Sequence, residues 1–488
     1  MGPGGRAGRP DERAGSQVTD VVIIGGGPGG YEAALVGAQL GGTVTLVERQ
    51  GIGGAAVLSD VVPSKSLIAA ADVMSRVRGA ERLGLRPASG HGRIKDGVTA
   101  DLAAVNDRVT KLAIAQSDDI RSRLEASGIR IISGTGRLHG PDRVLAVAED
   151  GRREVLPADI TLIATGVRPR ELPEAMPDGE RILNWTQMYG LKELPTRLIV
   201  VGSGVTGAEF ASAYHALGVE VVLISSRAQV LPSEDEEAAR VIQGVFESTG
   251  MTILSRSRAV AARREGDGVV VTLSDGRTVE GSHVLMAVGG IPNTEDLGLA
   301  EGKVATSASG HIVVDKVSRT SARGIYAAGD CTGVFALASV AAMQGRIAMW
   351  HSLGDAVAPL DLRSVSANVF TSPSVASVGV SQAEIDAGFN ARGIMMPLRS
   401  NARAKMQGLS DGFIKLFCLP TTGIVVGGVV VAPSASELIH PIALAVSAKL
   451  TVDQLAQAFT VYPSLSGSIA EAARRLHPGA AISEHVDY

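Results

Sequence analysis

At 488 residues, 45% hydrophobic and 20% charged, with 59 glycines, the chain reads as a soluble multidomain protein rich in tight turns and close backbone approaches to ligands. Its 46 basic and 50 acidic residues, a formal charge of −4, provide no broad positive field, which argues against nucleic acid as a partner. The two cysteines, Cys331 and Cys418, lie far apart and form no Cys-x-x-Cys, so neither a disulfide framework nor a metal site is expected and a cytoplasmic setting is the default.

In chain order, residues 1–17 carry basic side chains but no apolar core after them, and read as a disordered tail. No run of about 18 apolar residues follows anywhere, so no integral membrane segment is expected. From Asp20 the sequence runs VVII, GGGPGG, YEAALVGAQLGG and TVTLVER, which predicts strand, glycine turn, helix and strand, the order of a βαβ unit. Gly25, Gly27 and Gly30 stand at fingerprint spacing. Gly25 suits the tight turn, Gly27 the approach of backbone to a pyrophosphate, and Gly30 the close packing of helix on strand. Glu48, at the end of the next strand, can accept hydrogen bonds from a ribose, so a dinucleotide site is expected here.

A helical region around residues 64–126 follows, then β-rich sequence closing on TLIATG at 161–166. The pattern begins again at Arg197 with LIVVGSGVTGAEFASAYHALGVEVVLISSR. Its glycines are Gly202, Gly204 and Gly207. Where an acid would bind the ribose hydroxyls of NAD, this unit has Ser225, Ser226 and Arg227, so NADPH is admissible and NADH is not excluded. This half also closes on a short apolar strand and glycine, VLMAVGG at 284–290, as internal repeats would. HIVVDKVSRTSARGIYAAGD at 311–330 returns to strand and turn, and a helix is expected from about Ala338 to His351. From about Arg363 the texture changes to apolar strands, FIKLFC and IVVGGVVVA, and then helices at 434–448, 452–459 and 466–476.

The two glycine units, TLIATG, GIYAAGD with Asp330, and LASVAAMQGR together resemble the pyridine-nucleotide flavoprotein disulfide reductases, from Val18 to about Leu476. GGAAVLSDVVPSK, VGSGVTGAEF and VYPSLSGSI are most similar to the family's NAD(P)H quinone reductase branch. The resemblance implies an α/β fold: two Rossmann-like dinucleotide-binding domains for FAD and NAD(P), plus a C-terminal α+β dimerisation domain. The expected divisions are a tail at 1–17, an FAD-binding domain at 18–166, an NAD(P)-binding domain at 167–289, a central domain at 290–362 and the dimerisation domain at 363–488, with a homodimer implied.

The resemblance places FAD along Gly25, Gly27, Pro28, Gly30, Glu48 and Arg49, then Gly54, Ala55 and Lys65, with Gly136 near the adenine. Thr165, Gly166, Asp330 at the ribitol, and Leu337 and Ala338 at a helix start complete that set. It places NADPH or NADH along Gly202, Gly204, Val205, Thr206, Gly207, Ser225, Ser226 and Arg227, with Gly289 and Gly290 near the nicotinamide ribose. It also implies that Lys65 and Glu209 pair beside the flavin. A lone buried ammonium would be expensive, so a partner for Lys65 is physically required.

Against the family's GGTCLNVGCIPSK, the segment Gly53 to Lys65 has Ala56 and Val61 where the two redox cysteines stand. Against its histidine and glutamate acid/base pair, TVYPSLSG has Tyr462 and Gly467. Neither Cys331 nor Cys418 replaces the dithiol, because a relay needs two sulfurs close enough to bond. The expectation is therefore hydride transfer from NAD(P)H to flavin and direct reduction of a small-molecule quinone, with Lys65, Glu209 and Tyr462 as the reactive set. Tyr462 would donate a hydrogen bond to the quinone carbonyl; simple packing at a dimer seam is the alternative role for it. Transhydrogenation or NAD(P)H oxidation, and a redox-quiet flavoprotein that acts by binding, are the competing functions.

Overall fold

The computed structural model describes residues 18–88 and 91–477, so the expected tail at 1–17 lies outside the described residues. It divides into two compact units. Of the described residues, the first comprises 18–52, 120–166 and 294–359, and the second 53–88, 91–119, 167–293 and 360–477.

The first unit is built on a seven-stranded sheet. Five of its strands run parallel: Ile325–Ala327, Ile160–Ile163, Asp20–Ile24, Thr43–Glu48 and Arg130–Leu138, in that spatial order. Arg143–Ala148 and Arg153–Pro157 extend the far edge as an antiparallel pair. The strand Asp20–Ile24 is almost wholly buried, as a central parallel strand covered on both faces must be, and this explains its unbroken VVII. Its helix, Pro28–Gln39, crosses the helix Ala338–Ser352 at a glycine contact. A Cβ at Gly345 would lie 2.1 Å from the carbonyl oxygen of Gly29, so only glycine permits this approach.

The second unit repeats the arrangement with the parallel order Thr252–Leu254, Glu220–Ile224, Arg197–Val201, His283–Met286 and Ile182–Leu183. A three-stranded antiparallel meander, Ala259–Glu265, Gly268–Leu273 and Thr278–Gly281, follows the strand Thr252–Leu254 in the chain. The helical segment 53–119 also belongs to this unit, although in sequence it interrupts the first. Leu67, Ile68, Ala71 and Met74 of the helix Val61–Gly79 share a core with Phe210 and Tyr214 of the helix Val205–Leu217. Burial of one apolar face on another outweighs chain order here.

The C-terminal part is a five-stranded antiparallel sheet ordered Ser366–Val369, Ser374–Gly379, Val425–Ala432, Phe413–Cys418 and Arg392–Pro397, with helices packed on it. The single helix expected at 434–448 is two, Ala435–Leu438 and His440–Ser447, with Pro441 in the first turn of the second, where its missing N–H costs nothing. Among the described residues one helical stretch, Gly54–Leu83, is long and apolar enough by length and composition to cross a bilayer. It breaks at Ser59 and Asp60, between the helices Gly54–Leu58 and Val61–Gly79, and carries Lys65, Asp72, Arg76 and Arg78.

Candidate functional site

In the first unit the expected dinucleotide residues gather at the carboxyl ends of the parallel strands, where open α/β sheets bind ligands. Gly25 has φ +107, and a Cβ on it would sit 2.3 Å from the Ala164 carbonyl oxygen, beside Thr165 and Gly166. A Cβ on Gly30 would sit 1.8 Å from the Gly25 carbonyl oxygen, so the turn folds against its own helix. Gly27 is different. A Cβ there would meet nothing within 4 Å, so the loop leaves open space ahead of the helix that begins at Pro28. Open space ahead of a positive helix end is what a pyrophosphate requires.

Glu48 reaches the loop directly: its Oε2 accepts from the Gly26 amide at 2.5 Å and its Oε1 from the Gln50 amide at 2.6 Å. Arg49 beside it is exposed. Gly136 lies under Ile24 and Val47, whose side chains would be 3.3 and 3.4 Å from an added Cβ. Asp330 opens a short 3-10 turn after Gly329, whose amide donates to Gln344 Oε1 at 2.8 Å. Leu337 is the extended residue before the helix that starts at Ala338.

The second glycine loop repeats these distances. A Cβ on Gly202, at φ +111, would sit 2.2 Å from the Ala287 carbonyl oxygen and one on Gly207 1.8 Å from that of Gly202, while a Cβ on Gly204 would meet nothing within 4 Å. Val205 and Thr206 form the first turn of its helix. Ser226 and Arg227 are exposed, but Ser225 is fully buried and its Oγ lies 2.7 Å from Ser203 Oγ. The Ser225 hydroxyl thus joins two turns. Gly289 has open space around it, and Gly290 pairs with Pro169 in a short antiparallel ladder.

Within the second unit Lys65 Nζ lies 2.8 Å from Glu209 Oε2, with side chains 28% and 5% exposed. The other carboxylate oxygen of Glu209 accepts from the Phe370 amide at 2.9 Å, and the Lys65 ammonium stands 4.9 Å from the centre of the Phe370 ring. Two carbons of chain length separate a helix-held carboxylate from its backbone, so this double anchoring fixes where the ammonium points.

Sequence reasoning missed the groups around this pair. Asp60, at the break between the helices Gly54–Leu58 and Val61–Gly79, has its carboxyl raised by burial; Lys65 pulls it back down and Glu209 pushes it further up. Tyr189 is pushed up by burial and then by Asp60. The signal was a single acid inside the apolar run GGAAVLSDVVPSK. Ala56 lies in the first of these helices and Val61 begins the second. Cys331 and Cys418 are both buried and free, and burial pushes the Cys331 thiol up to about 11. Tyr462 lies in the loop between the helices Val452–Gln457 and Gly467–Arg475 and is 86% exposed in the single chain.

The pyridine nucleotide-disulphide oxidoreductase family matches residues 19–345, and that family's dimerisation domain matches residues 365–473. An NAD(P)H dehydrogenase (quinone) of Mycobacterium tuberculosis H37Rv is 53% identical over 469 residues, 94% of each chain. A dihydrolipoyl dehydrogenase of Zymomonas mobilis is 32% identical over 460 residues, 93% of this chain and 96% of the relative. Among solved structures, LpdA from Mycobacterium tuberculosis superposes with a TM-score of 0.89 at 53% identity, covering 94% of this chain and all of that one. The HOCl-induced flavoprotein disulfide reductase RclA from Escherichia coli gives a TM-score of 0.81 at 22% identity over 93% of this chain and 99% of its own, a likeness of fold alone. The chain belongs to the pyridine nucleotide-disulphide oxidoreductase family, whose members use FAD with NAD(P)H.

Proposed function

We propose that this chain is a homodimeric flavoenzyme that takes hydride from NAD(P)H and reduces a quinone directly, with no redox disulfide. One observation carries the reading. The Lys65–Glu209 pair is fully formed at 2.8 Å, while Ala56 and Val61 occupy the positions where dithiol members of the family carry sulfur. The 53% identity to an NAD(P)H dehydrogenase (quinone) supports it, and the match to a dimerisation domain supports the dimer.

Bound FAD would supply two-electron storage between nicotinamide and acceptor. The residues that would hold it are the Gly25–Gly30 loop, Glu48, Asp330 and the start of the helix at Ala338. The second glycine loop would hold the nicotinamide nucleotide at the N-terminus of its helix. Glu209 holds Lys65 in place, so the ammonium offers a fixed positive group. Small side chains at Ala56 and Val61 leave room for a flat ring. Two buried, free cysteines suit a reducing cytoplasm. Tyr462 donates to the quinone carbonyl, and its exposure in the single chain supports a role completed by the second subunit.

The test is anaerobic. NADPH or NADH should bleach the flavin, and a naphthoquinone should restore its colour within turnover time; absence of bleaching, or robust turnover of lipoamide or oxidised glutathione, ends the reading. Tyr462→Phe should slow quinone turnover severalfold and leave flavin reduction intact. Unchanged steady-state rates would remove the tyrosine from the chemistry.

A further inference from the structure

The second glycine loop is one of three turns bonded into a single ledge. Gly202 N donates to Ile224 O at 3.0 Å, and Ser203 Oγ meets Ser225 Oγ at 2.7 Å, so the phosphate loop is tied to the turn after the strand Glu220–Ile224. That turn is tied in its own right to the one after Thr252–Leu254. Ser225 N donates to Leu254 O at 2.9 Å, Arg256 N to Arg227 O at 2.8 Å and Ser257 N to Ser225 O at 2.8 Å. The two strands are parallel neighbours, so their carboxyl ends present Arg227 and Arg256 side by side next to the pyrophosphate turn.

The charge on this ledge is one-sided. Residues 202–204, 225–229 and 255–258 include no Asp or Glu. Arg277, which donates to Ser257 Oγ at 2.9 Å, is neutralised by Asp275 at 2.7 Å. Arg227 and Arg256 are exposed, and among the described residues neither has an ion-pair partner. The backbone of Arg256 takes the left-handed φ of 49°, a conformation held by its own amide on Arg227.

An acid at the end of the second strand of such a unit binds the ribose 2′-hydroxyl, and would repel a phosphate attached there. Here the position is open to an anion, and guanidinium groups match phosphate in charge and in forked geometry. We infer that Arg256 joins Arg227 to form a two-turn clamp for the 2′-phosphate of NADPH, and that Arg256 determines the choice of NADPH over NADH. This rests on the reading of the second unit as the nicotinamide site. Sequence order hides the clamp, because Arg256 comes from the strand after the one that carries the ribose position.

The experiment uses the purified holoenzyme and calorimetric titration with adenosine 2′,5′-bisphosphate and with 5′-AMP, which lacks the 2′-phosphate. Arg256→Asn suits the left-handed backbone and removes the charge. It should weaken the bisphosphate about ten- to a hundredfold and leave 5′-AMP within about twofold, as loss of a charge-assisted hydrogen bond predicts. Arg227→Ala should do the same, and Arg258→Ser, two residues further along the same turn, should change either ligand by less than about twofold. In turnover, KM for NADPH should rise in Arg256→Asn while KM for NADH and kcat stay near wild type. Unchanged bisphosphate affinity in Arg256→Asn, equal losses for both ligands, or an equal loss in Arg258→Ser would overturn the clamp. If neither nicotinamide bleaches the flavin, the reductase reading fails, and the fragment titration still decides the clamp.

Discussion

Lys415 sits in the fully buried strand Phe413–Cys418, and replacing it with methionine tests whether its charge organises the second unit. Its Nζ lies 2.7 Å from Asp235 Oδ2 and 2.7 Å from Glu237 Oε2, with the lysine 5%, Asp235 4% and Glu237 39% exposed. Asp235 also caps the helix Glu236–Ser248, accepting from the Ala238 amide at 3.1 Å. Lys415→Met fills the same volume but leaves Asp235 as a buried charge without its cation, at a cost of about 3–5 kcal/mol. With a urea dependence near about 3 kcal/mol/M, the unfolding midpoint should fall by about 1–2 M. Trp185, buried in the core of this unit, reports the transition by its fluorescence. The triple variant Lys415→Met, Asp235→Asn, Glu237→Gln should recover most of the loss, because asparagine caps a helix as well as aspartate and no charge is left stranded. Burial alone would raise Glu237, but the Lys415 hydrogen bond and charge outweigh it and hold the group below its ordinary 4.5. Its contribution is therefore present above that value and lost as pH falls below it. A midpoint for Lys415→Met within about 0.3 M of wild type, or a triple variant no more stable than the single one, would refute the reasoning.

Two further perturbations separate fold from site. Gly30→Ala places a methyl 1.8 Å from a backbone oxygen and should abolish folding of the first unit, whereas Gly27→Ala points into open space and should keep the fold but purify with little bound flavin, as absorbance near 450 nm will show. Asp60 is raised from its ordinary 3.8 chiefly by burial, so the folded state holds its proton more tightly than the unfolded chain, and stability declines as pH rises from there through the shifted value. Asp60→Asn should consequently unfold at higher temperature than wild type at pH 7, and the gap should close near pH 4; an equal gap at both would show that the carboxyl's charge is not what costs stability.

Much of this protein is legible along the chain because it is local. A turn at φ above +100° needs Gly25 and Gly202, a methyl-free approach needs Gly30 and Gly207, and a strand buried on both faces needs VVII or LIVV, so both dinucleotide units declare themselves within about thirty residues each. The loss of the dithiol is equally local, since one segment has Ala56 and Val61 and no sulfur. Pairings between distant segments are different. Glu209 and Lys65, 144 residues apart, are joined at the sequence level only through the family resemblance; Lys415 with Asp235, and Ser225 turned inward to Ser203, are 180 and 22 residues apart, and no spacing rule links any of them. They arise because a charge or hydroxyl stripped of water must find its partner in the packed chain, and which partner lies within 3 Å is decided only when the helices and sheets have docked. Arg256 follows the same logic: the register of two parallel strands sets it beside Arg227, a neighbour that the linear order never shows.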